Sequence, residues 1–474
     1  MSRFVHTYEQ AIEFLFGRIN YERVTGIAFS SDDRKLARMQ RLLEQIGNPH
    51  EGMKVVHVAG TKGKGSTSAM AAAILTAAGH KTGLFTSPHI SAFEERMVVN
   101  GTPPAPTHFV DLVNRLIEPI ERMDQATDGP GPTYFELATA LAWLYFRDCE
   151  TDLAVLEVGL GGRLDATNVC DPRVCVITNI SRDHTNVLGN STADIAREKA
   201  GIVKPGVPVL SGVTGAPAAD VVEAVCRQLE SPLYRLGREI SWRPHPDDDS
   251  SRAVPGDVGA HRIDVETPWG KWPGLTVALR GVHQADNAAL AVAATTLLPE
   301  KGVRVLEQAV VAGLASVRWP ARIEVLASQP TVVVDAAHNW ASTEALLLTL
   351  DQDFATASRR ILIFAATREK DVGGMLRLLL PRFDSVVLTQ YQTNPRGVPI
   401  NELADFMQAT SARDCHIATD AASAWRLASH LATADDLICV TGSFFIAAEL
   451  RELILDRHAG ASESEQPNSR AVCS

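Results

Sequence analysis

His57-Val58-Ala59-Gly60-Thr61-Lys62-Gly63-Lys64-Gly65-Ser66-Thr67 stands between a short apolar run, Val55 to Ala59, and a small-residue segment that reaches Ala78 and is stopped by Gly79. That order predicts a buried strand, a glycine loop and a helix, one βα unit of a mostly parallel sheet. In such a setting glycines let backbone N–H groups approach phosphate closely. The helix amino end adds positive potential and Lys64 neutralises terminal phosphate charge, so the segment reads as a triphosphate-binding loop. The common P-loop has Ser or Thr directly after Gly-Lys. Here Gly65 intervenes before Ser66, which makes the loop a variant and disfavours motor and GTPase families. The bland alternative is a glycine-rich turn with no ligand.

The same alternation extends along the chain. Upstream, Leu36, Met39, Leu42, Leu43 and Ile46 form a helical apolar face ended by Gly47, read as a packing element. Downstream, short strands are expected at Leu153–Leu156, Val174–Thr178 and Val207–Leu210, with a helix at Thr192–Ala200. A second series of strands begins at Thr331 and continues at Arg360, Ser385 and Asp436, each followed by a helical pattern. The expected fold class is α/β: a P-loop-containing, mostly parallel sheet domain over 1–318, then a second, smaller α/β domain over 319–458. Trp319-Pro320 marks the junction, the aperiodic stretch from Pro244 to His261 reads as a surface loop, and polar 459–474 reads as a disordered tail.

Composition narrows the class of function. With 45% hydrophobic and 21% charged residues the 474-residue chain reads as a globular enzyme. Its 45 Lys+Arg against 56 Asp+Glu give a net charge of -11, which argues against a nucleic-acid partner. The seven cysteines include no Cys-x-x-Cys pair, so neither a zinc site nor a disulfide framework is indicated. No stretch approaches ~20 uninterrupted apolar residues, so no membrane span is expected, and the chain reads as cytoplasmic and monomeric.

Two strand ends carry chemistry. In Asp152 to Gly159 a carboxylate, Glu157, appears where an apolar strand runs out, poised to hold Mg2+ against nucleotide phosphates; the alternative is an acid that caps a neighbouring helix. Beyond the next strand, Asn179-Ile180-Ser181-Arg182-Asp183-His184 places a histidine, although a lone histidine is more often structural. Gly159-Leu160-Gly161-Gly162 has the look of a dinucleotide fingerprint but fails at its third glycine, where Leu164 stands, so hydride transfer is disfavoured.

These residues belong to a wider likeness. The chain resembles folylpolyglutamate synthase and bifunctional dihydrofolate synthase, within the Mur-ligase superfamily. The likeness runs through Gly60–Ser66, Thr86–His89, Thr133–Glu136, Leu156–Asn168, Asp183–Thr185, Arg197–Ile202 and Asp335–Asn339. It implies that Gly63, Lys64, Gly65 and Ser66 cradle ATP and that Ser87, Glu157 and His184 hold Mg2+. It further implies that Asn287, Arg322 and Asp335 bind nucleotide, and that Thr133, Tyr134, Phe135 and Glu136 with Leu164, Asp165 and Ala166 contact the pterin side of the substrate. By the same resemblance His338 and Ser443 lie near nucleotide and glutamate, and Lys199 is carbamylated as a ligand for a second Mg2+. On the residues alone Lys199 reads as a cation at a helix carboxyl end. The chain departs from the family at Lys62, often Asn, and at Ala336, often Gly.

The activity implied is an ATP-dependent ligase that joins L-glutamate to a folate, or to dihydropteroate, through an acyl phosphate. A peptidoglycan-precursor ligase and a P-loop ATPase without an amide product are the rivals. Lys64, Lys199 and His338 would be the catalytic residues and ATP and Mg2+ the cofactors, with two domains closing on ATP to exclude water.

Overall fold

The computed structural model describes residues 4–20, 34–125, 131–181, 189, 191–246, 261–408 and 414–464. They fall into two compact units, one ending at Arg318 and the other beginning at Trp319.

The first unit is built on a seven-stranded sheet of order β3-β2-β4-β1-β5-β6-β7. Its strands are β1 (Lys54–Ala59), β2 (Thr82–Phe85), β3 (Met97–Val99), β4 (Leu153–Glu157), β5 (Pro172–Ile177), β6 (Val209–Ser211) and β7 (Leu233–Arg235). All pairings are parallel except that of β2 with β3. Strands β1 and β4 are apolar and buried on both faces, as a covered parallel sheet requires. The strand expected from Val207 forms only at Val209–Ser211, because Pro208 has no N–H to give to a ladder.

Helices cover the sheet: α1 (Tyr8–Phe16), α2 (Arg34–Gln45), α3 (Lys64–Ala77), α4 (Pro106–Gln125), α5 (Tyr134–Asp148), α6 (Thr192–Ala200), α7 (Ala218–Gln228), α8 (His283–Leu297) and α9 (Glu307–Ser316). Met39, Leu42 and Leu43 of α2 are fully buried and share a core with Phe109 of α4 and Trp143 of α5, so the upstream helix is a packing element. A second core joins β5, α6 and α7 through Ile177, Ala196, Ala200 and Val222. The sequence reading did not foresee the antiparallel sheet of β8 (Ser241–Pro244), β9 (His261–Thr267) and β10 (Gly270–Val277). Of the expected surface loop between them, 247–260 lie outside the described residues.

The second unit is a six-stranded sheet of order β11-β12-β16-β13-β14-β15, comprising β11 (Glu324–Ser328), β12 (Thr331–Val334), β13 (Arg360–Phe364), β14 (Ser385–Leu388), β15 (Asp414–Ile417) and β16 (Leu437–Thr441). Only β11 pairs antiparallel. Leu346, Leu350, Phe364, Leu376 and Leu379 form its core. The last helix, α10 (Phe444–Ser464), is longer than the sequence suggested. Ala459 to Ser464, read as tail, continue that helix, and 465–474 lie outside the described residues. No helix among the described residues is long and apolar enough to cross a membrane.

Candidate active site

In an open α/β sheet, ligands gather at strand carboxyl ends where the strand order reverses. Here β1 lies between β4 and β5, so the loops that leave these three strands converge. From β1 comes Gly60 to Gly63, which ends in the N-cap of α3. Gly63 has φ +81° and makes no side-chain cap, and a Cβ there would lie 2.2 Å from Asn287 Oδ1. Only glycine fits, and the first N–H groups of α3 are left for an anion. Asn287, on α8, is itself held by Gln284, whose Oε1 accepts from Asn287 Nδ2 at 2.9 Å. The expected nucleotide residues Gly63, Lys64, Gly65, Ser66 and Asn287 thus share one place.

The loop is stapled from the β5 side. Asn179 accepts the Thr61 N–H on its backbone oxygen (2.8 Å) and the Lys62 N–H on its Oδ1 (2.9 Å), while Thr178 Oγ1 donates to the Lys62 carbonyl (2.6 Å). Lys199 of α6 is buried, and its Nζ donates to the Gly60 carbonyl at 2.7 Å. Sequence reading passed over Asn179 and Thr178. Their position directly after a buried strand was the available signal, and it was spent on His184, which lies outside the described residues.

From β4 comes Glu157, its side chain buried at the strand end. Lys64 Nζ lies 3.9 Å from Glu157 Oε1, and the Ser87 N–H donates to Oε2 at 3.3 Å. Ser87 follows the end of β2, the neighbour of β4, so both oxygen donors expected for Mg2+ stand beside the phosphate loop. Among the described residues no group of three or more His, Cys, Asp or Glu could hold a metal ion.

Beyond Glu157 the chain does not enter a long helix, as a dinucleotide fold would require; it turns through Leu164 into a 3-10 turn at Ala166–Val169. Gly162 packs so closely on α6 that a Cβ would lie 2.8 Å from the Glu198 carbonyl. Arg163 adds a backbone bond and an ion pair to Glu198, 2.8 and 3.0 Å. Asp165 is buried, and both its oxygens accept hydrogen bonds from within the loop: Oδ2 from Leu160 N–H and Oδ1 from the Thr167 N–H, each 3.0 Å. Burial pushes its carboxyl above the usual range.

The segment from Thr133 to Glu136 caps α5. Thr133 accepts from the Glu136 N–H, and Glu136 Oε2 accepts from Thr133 N–H (2.7 Å) and hydroxyl (2.9 Å). Arg38 of α2 donates to both Glu136 oxygens at 3.0 and 2.9 Å. Tyr134 is buried against Phe16, with ring centroids 5.4 Å apart, and Phe135 meets Phe85 at 5.9 Å. Thr133 and Glu136 therefore already have structural partners, a relation invisible without Arg38.

In the second unit Asp335 follows β12 and accepts from Ile323 N–H (2.9 Å) and Ala337 N–H (2.8 Å). Burial raises its pKa and the Arg322 guanidinium opposes the rise. Arg322 lies over the Phe444 ring, 5.8 Å from its centroid. His338 donates from Nδ1 to the Ala336 carbonyl at 2.9 Å. Ser443, buried after β16, joins a hydroxyl cluster with Thr367 (3.3 Å), which also meets Tyr391 Oη at 2.9 Å. Thr367 and Tyr391 were not foreseen, since only the sheet order brings the ends of β13, β14 and β16 together.

Comparison with known proteins agrees with this architecture. Residues 58–295 match the Mur ligase middle domain and 321–444 the Mur ligase, glutamate ligase domain. The dihydrofolate synthase/folylpolyglutamate synthase of Bacillus subtilis is 31% identical over 94% of this chain and 98% of its own length. The Mycobacterium tuberculosis folylpolyglutamate synthase complexed with ADP superposes with a TM-score of 0.83 at 31% identity, covering 94% of this chain and 98% of that one. The Escherichia coli FolC protein in complex with DHPP and ADP gives 0.80 at 29%, over 96% and 99%. Sequence, extent and fold agree: the chain belongs to the Mur ligases, in the folylpolyglutamate synthase/dihydrofolate synthase family.

Proposed function

We propose that this chain forms an amide between L-glutamate and the carboxylate of a folate or of dihydropteroate, cleaving ATP to ADP and phosphate. The observation that carries this reading is the convergence of the Gly60–Lys64 loop, Ser87 and Glu157 at neighbouring strand ends, with Asn287 closed on Gly63. A carboxylate is a poor electrophile at neutral pH. Transfer of the γ-phosphoryl group to its oxygen releases ADP, and attack by the glutamate amine then expels phosphate and a proton. Lys64 and the free N–H groups of α3 offset the repulsion between the anionic carboxylate and the phosphates, the electrostatic work such a step needs. No protein nucleophile is required.

Ser87 and Glu157 would hold Mg2+, which when bound supplies further neutralisation of phosphate charge. We assign His184 to the same ion, and a carbamylated Lys199 to a second. The acceptor would lie against the loop Leu164 to Ala166 and the amino end of α5. Arg322, Asp335, His338 and Ser443 would serve nucleotide and glutamate from the second unit, and the protein would act as a cytoplasmic monomer without nucleic acid or membrane as partner.

Purified protein given ATP, glutamate and each pterin acceptor in turn should yield ADP, phosphate and a glutamyl product in equal amounts. AMP and pyrophosphate would exclude the acyl-phosphate route. ADP without an amide product would favour a plain ATPase.

A further inference from the structure

His57 lies on β1 and is completely buried, as is Thr167, with Asp165 nearly so. The three side chains form a continuous hydrogen-bond chain. His57 Nε2 is 2.9 Å from Thr167 Oγ1, and that hydroxyl donates to Asp165 Oδ1 at 2.6 Å. Both Asp165 oxygens already face backbone N–H donors, so the carboxylate is the acceptor throughout. The Thr167 proton being committed to Asp165, its oxygen must accept from an Nε2–H imidazole. Nδ1 of His57 then accepts from the Cys170 thiol, whose Sγ lies 3.5 Å away. The direction of every bond is thereby fixed, and burial keeps the imidazole neutral, as this direction requires.

The chain of bonds ends in the loop that follows Glu157. Asp165 draws in the Leu160 N–H, closing Leu160 to Asp165 into one turn with Leu164 and Ala166 on its flanks. It begins on the strand that runs directly from His57 into Gly60 and the phosphate loop. The acceptor loop is thus fixed relative to the phosphate loop, and not merely stiffened.

We propose that Thr167, oriented by His57, is a positioning residue for the pterin acceptor: through Asp165 it sets where the Leu164–Ala166 loop stands relative to the phosphates. This rests on the ligase reading above. A hydrogen bond to a buried carboxylate is strong, and misplacing a reacting carboxylate disfavours transfer even where nucleotide still binds.

The test is steady-state kinetics with ATP, glutamate and either folate or dihydropteroate. Thr167→Val should lower kcat/KM for the acceptor by about tenfold or more while leaving KM for ATP unchanged. Thr167→Ser should restore the acceptor kinetics, and His57→Gln, whose amide N–H replaces Nε2–H, should keep most of them. Wild-type acceptor kinetics in Thr167→Val, equal loss in the Val and Ser variants, or a parallel rise in KM for ATP would each overturn the proposal. Should Thr167→Val not fold, the wild-type protein labelled with 15N-histidine carries the test. His57 must show the Nε2–H tautomer and its ring signals must shift when the acceptor is added; an Nδ1–H tautomer or indifference to acceptor overturns it. A wild type that makes no glutamyl product from any pterin defeats the ligase reading itself, whereas an active wild type with indifferent variants defeats only this proposal.

Discussion

At the scale of single residues, Gly63 and Lys199 show how tightly the phosphate loop is determined. Gly63 combines a left-handed φ with the close approach of Asn287 Oδ1. A methyl group must push one of them aside, so Gly63→Ala should weaken ATP binding by about tenfold or more, measured by calorimetry, and the left-handed strain should lower the melting temperature by a few degrees. Unchanged affinity would mean that the loop carries no nucleotide. Lys199 has two possible uses in one position. Its ammonium staples the Gly60 carbonyl, while a carbamate would be an anionic oxygen donor for a metal ion. Lys199→Ala should lose most activity and keep its fold, and short carboxylates such as acetate should restore part of the rate. Loss without any rescue would leave the staple, and not the carbamate, as the reason. Glu157 was legible because an acid at the end of an apolar strand is conspicuous; Asn179 was not, because a strand-end asparagine looks like any turn residue until Thr61 and Lys62 are seen bound to it.

At the scale of elements, α5 illustrates where pattern reading stops. Thr133 and Glu136 form a capping box at its start, but the sequence reading took both for substrate contacts and placed no helix there. That Arg38 of α2 completes it could not be read, since the pairing spans 98 positions. The Arg38 and Glu136 side chains are only 12% and 6% exposed, so removing the cation strands a buried carboxylate. Arg38→Leu should therefore destabilise the protein by about 3 kcal/mol, measured by urea unfolding. A change below about 1 kcal/mol would show that water reaches Glu136 and the pair acts as a surface bridge. Most parallel strands announced themselves as short apolar runs, although β2, β7 and β15 were not foreseen. Strands β8 to β10 did not, because Trp272 and Leu275 alternate with polar positions, and Pro273 and Gly274 interrupt the period at the point where the ladder slips.

At the scale of the whole molecule, the division into two α/β units follows from two series of βα repeats, but the internal polar chains that fix loops to sheets are set by tertiary contact. His57 belongs to one of these chains and gives the protein a distinctive response to acid. Burial, and secondarily the Lys204 ammonium, push its pKa down to about 3, against 6.5 for an ordinary histidine. Among the described residues its ring nitrogens meet Cys170 and Thr167, and Thr167 links the ring to Asp165. Between these two values the unfolded chain binds a proton that the folded one refuses. The stabilising contribution of neutral His57 is therefore complete above about pH 6.5 and is lost as pH falls toward about 3. Over the step from pH 7 to pH 5 this amounts to about 2 kcal/mol. The raised pKa values of buried Asp165 and Asp335 act in the opposite direction, since a carboxyl that protonates more readily when folded gains stability as pH falls. Comparison with His57→Gln separates the terms, because every other group is common to both proteins. The variant's deficit in unfolding free energy, measured by urea titration, should shrink by about 2 kcal/mol between pH 7 and pH 5. A deficit that stays constant would mean that His57 takes up its proton in the folded state, and that its hydrogen bond to Thr167 does not depend on a neutral ring.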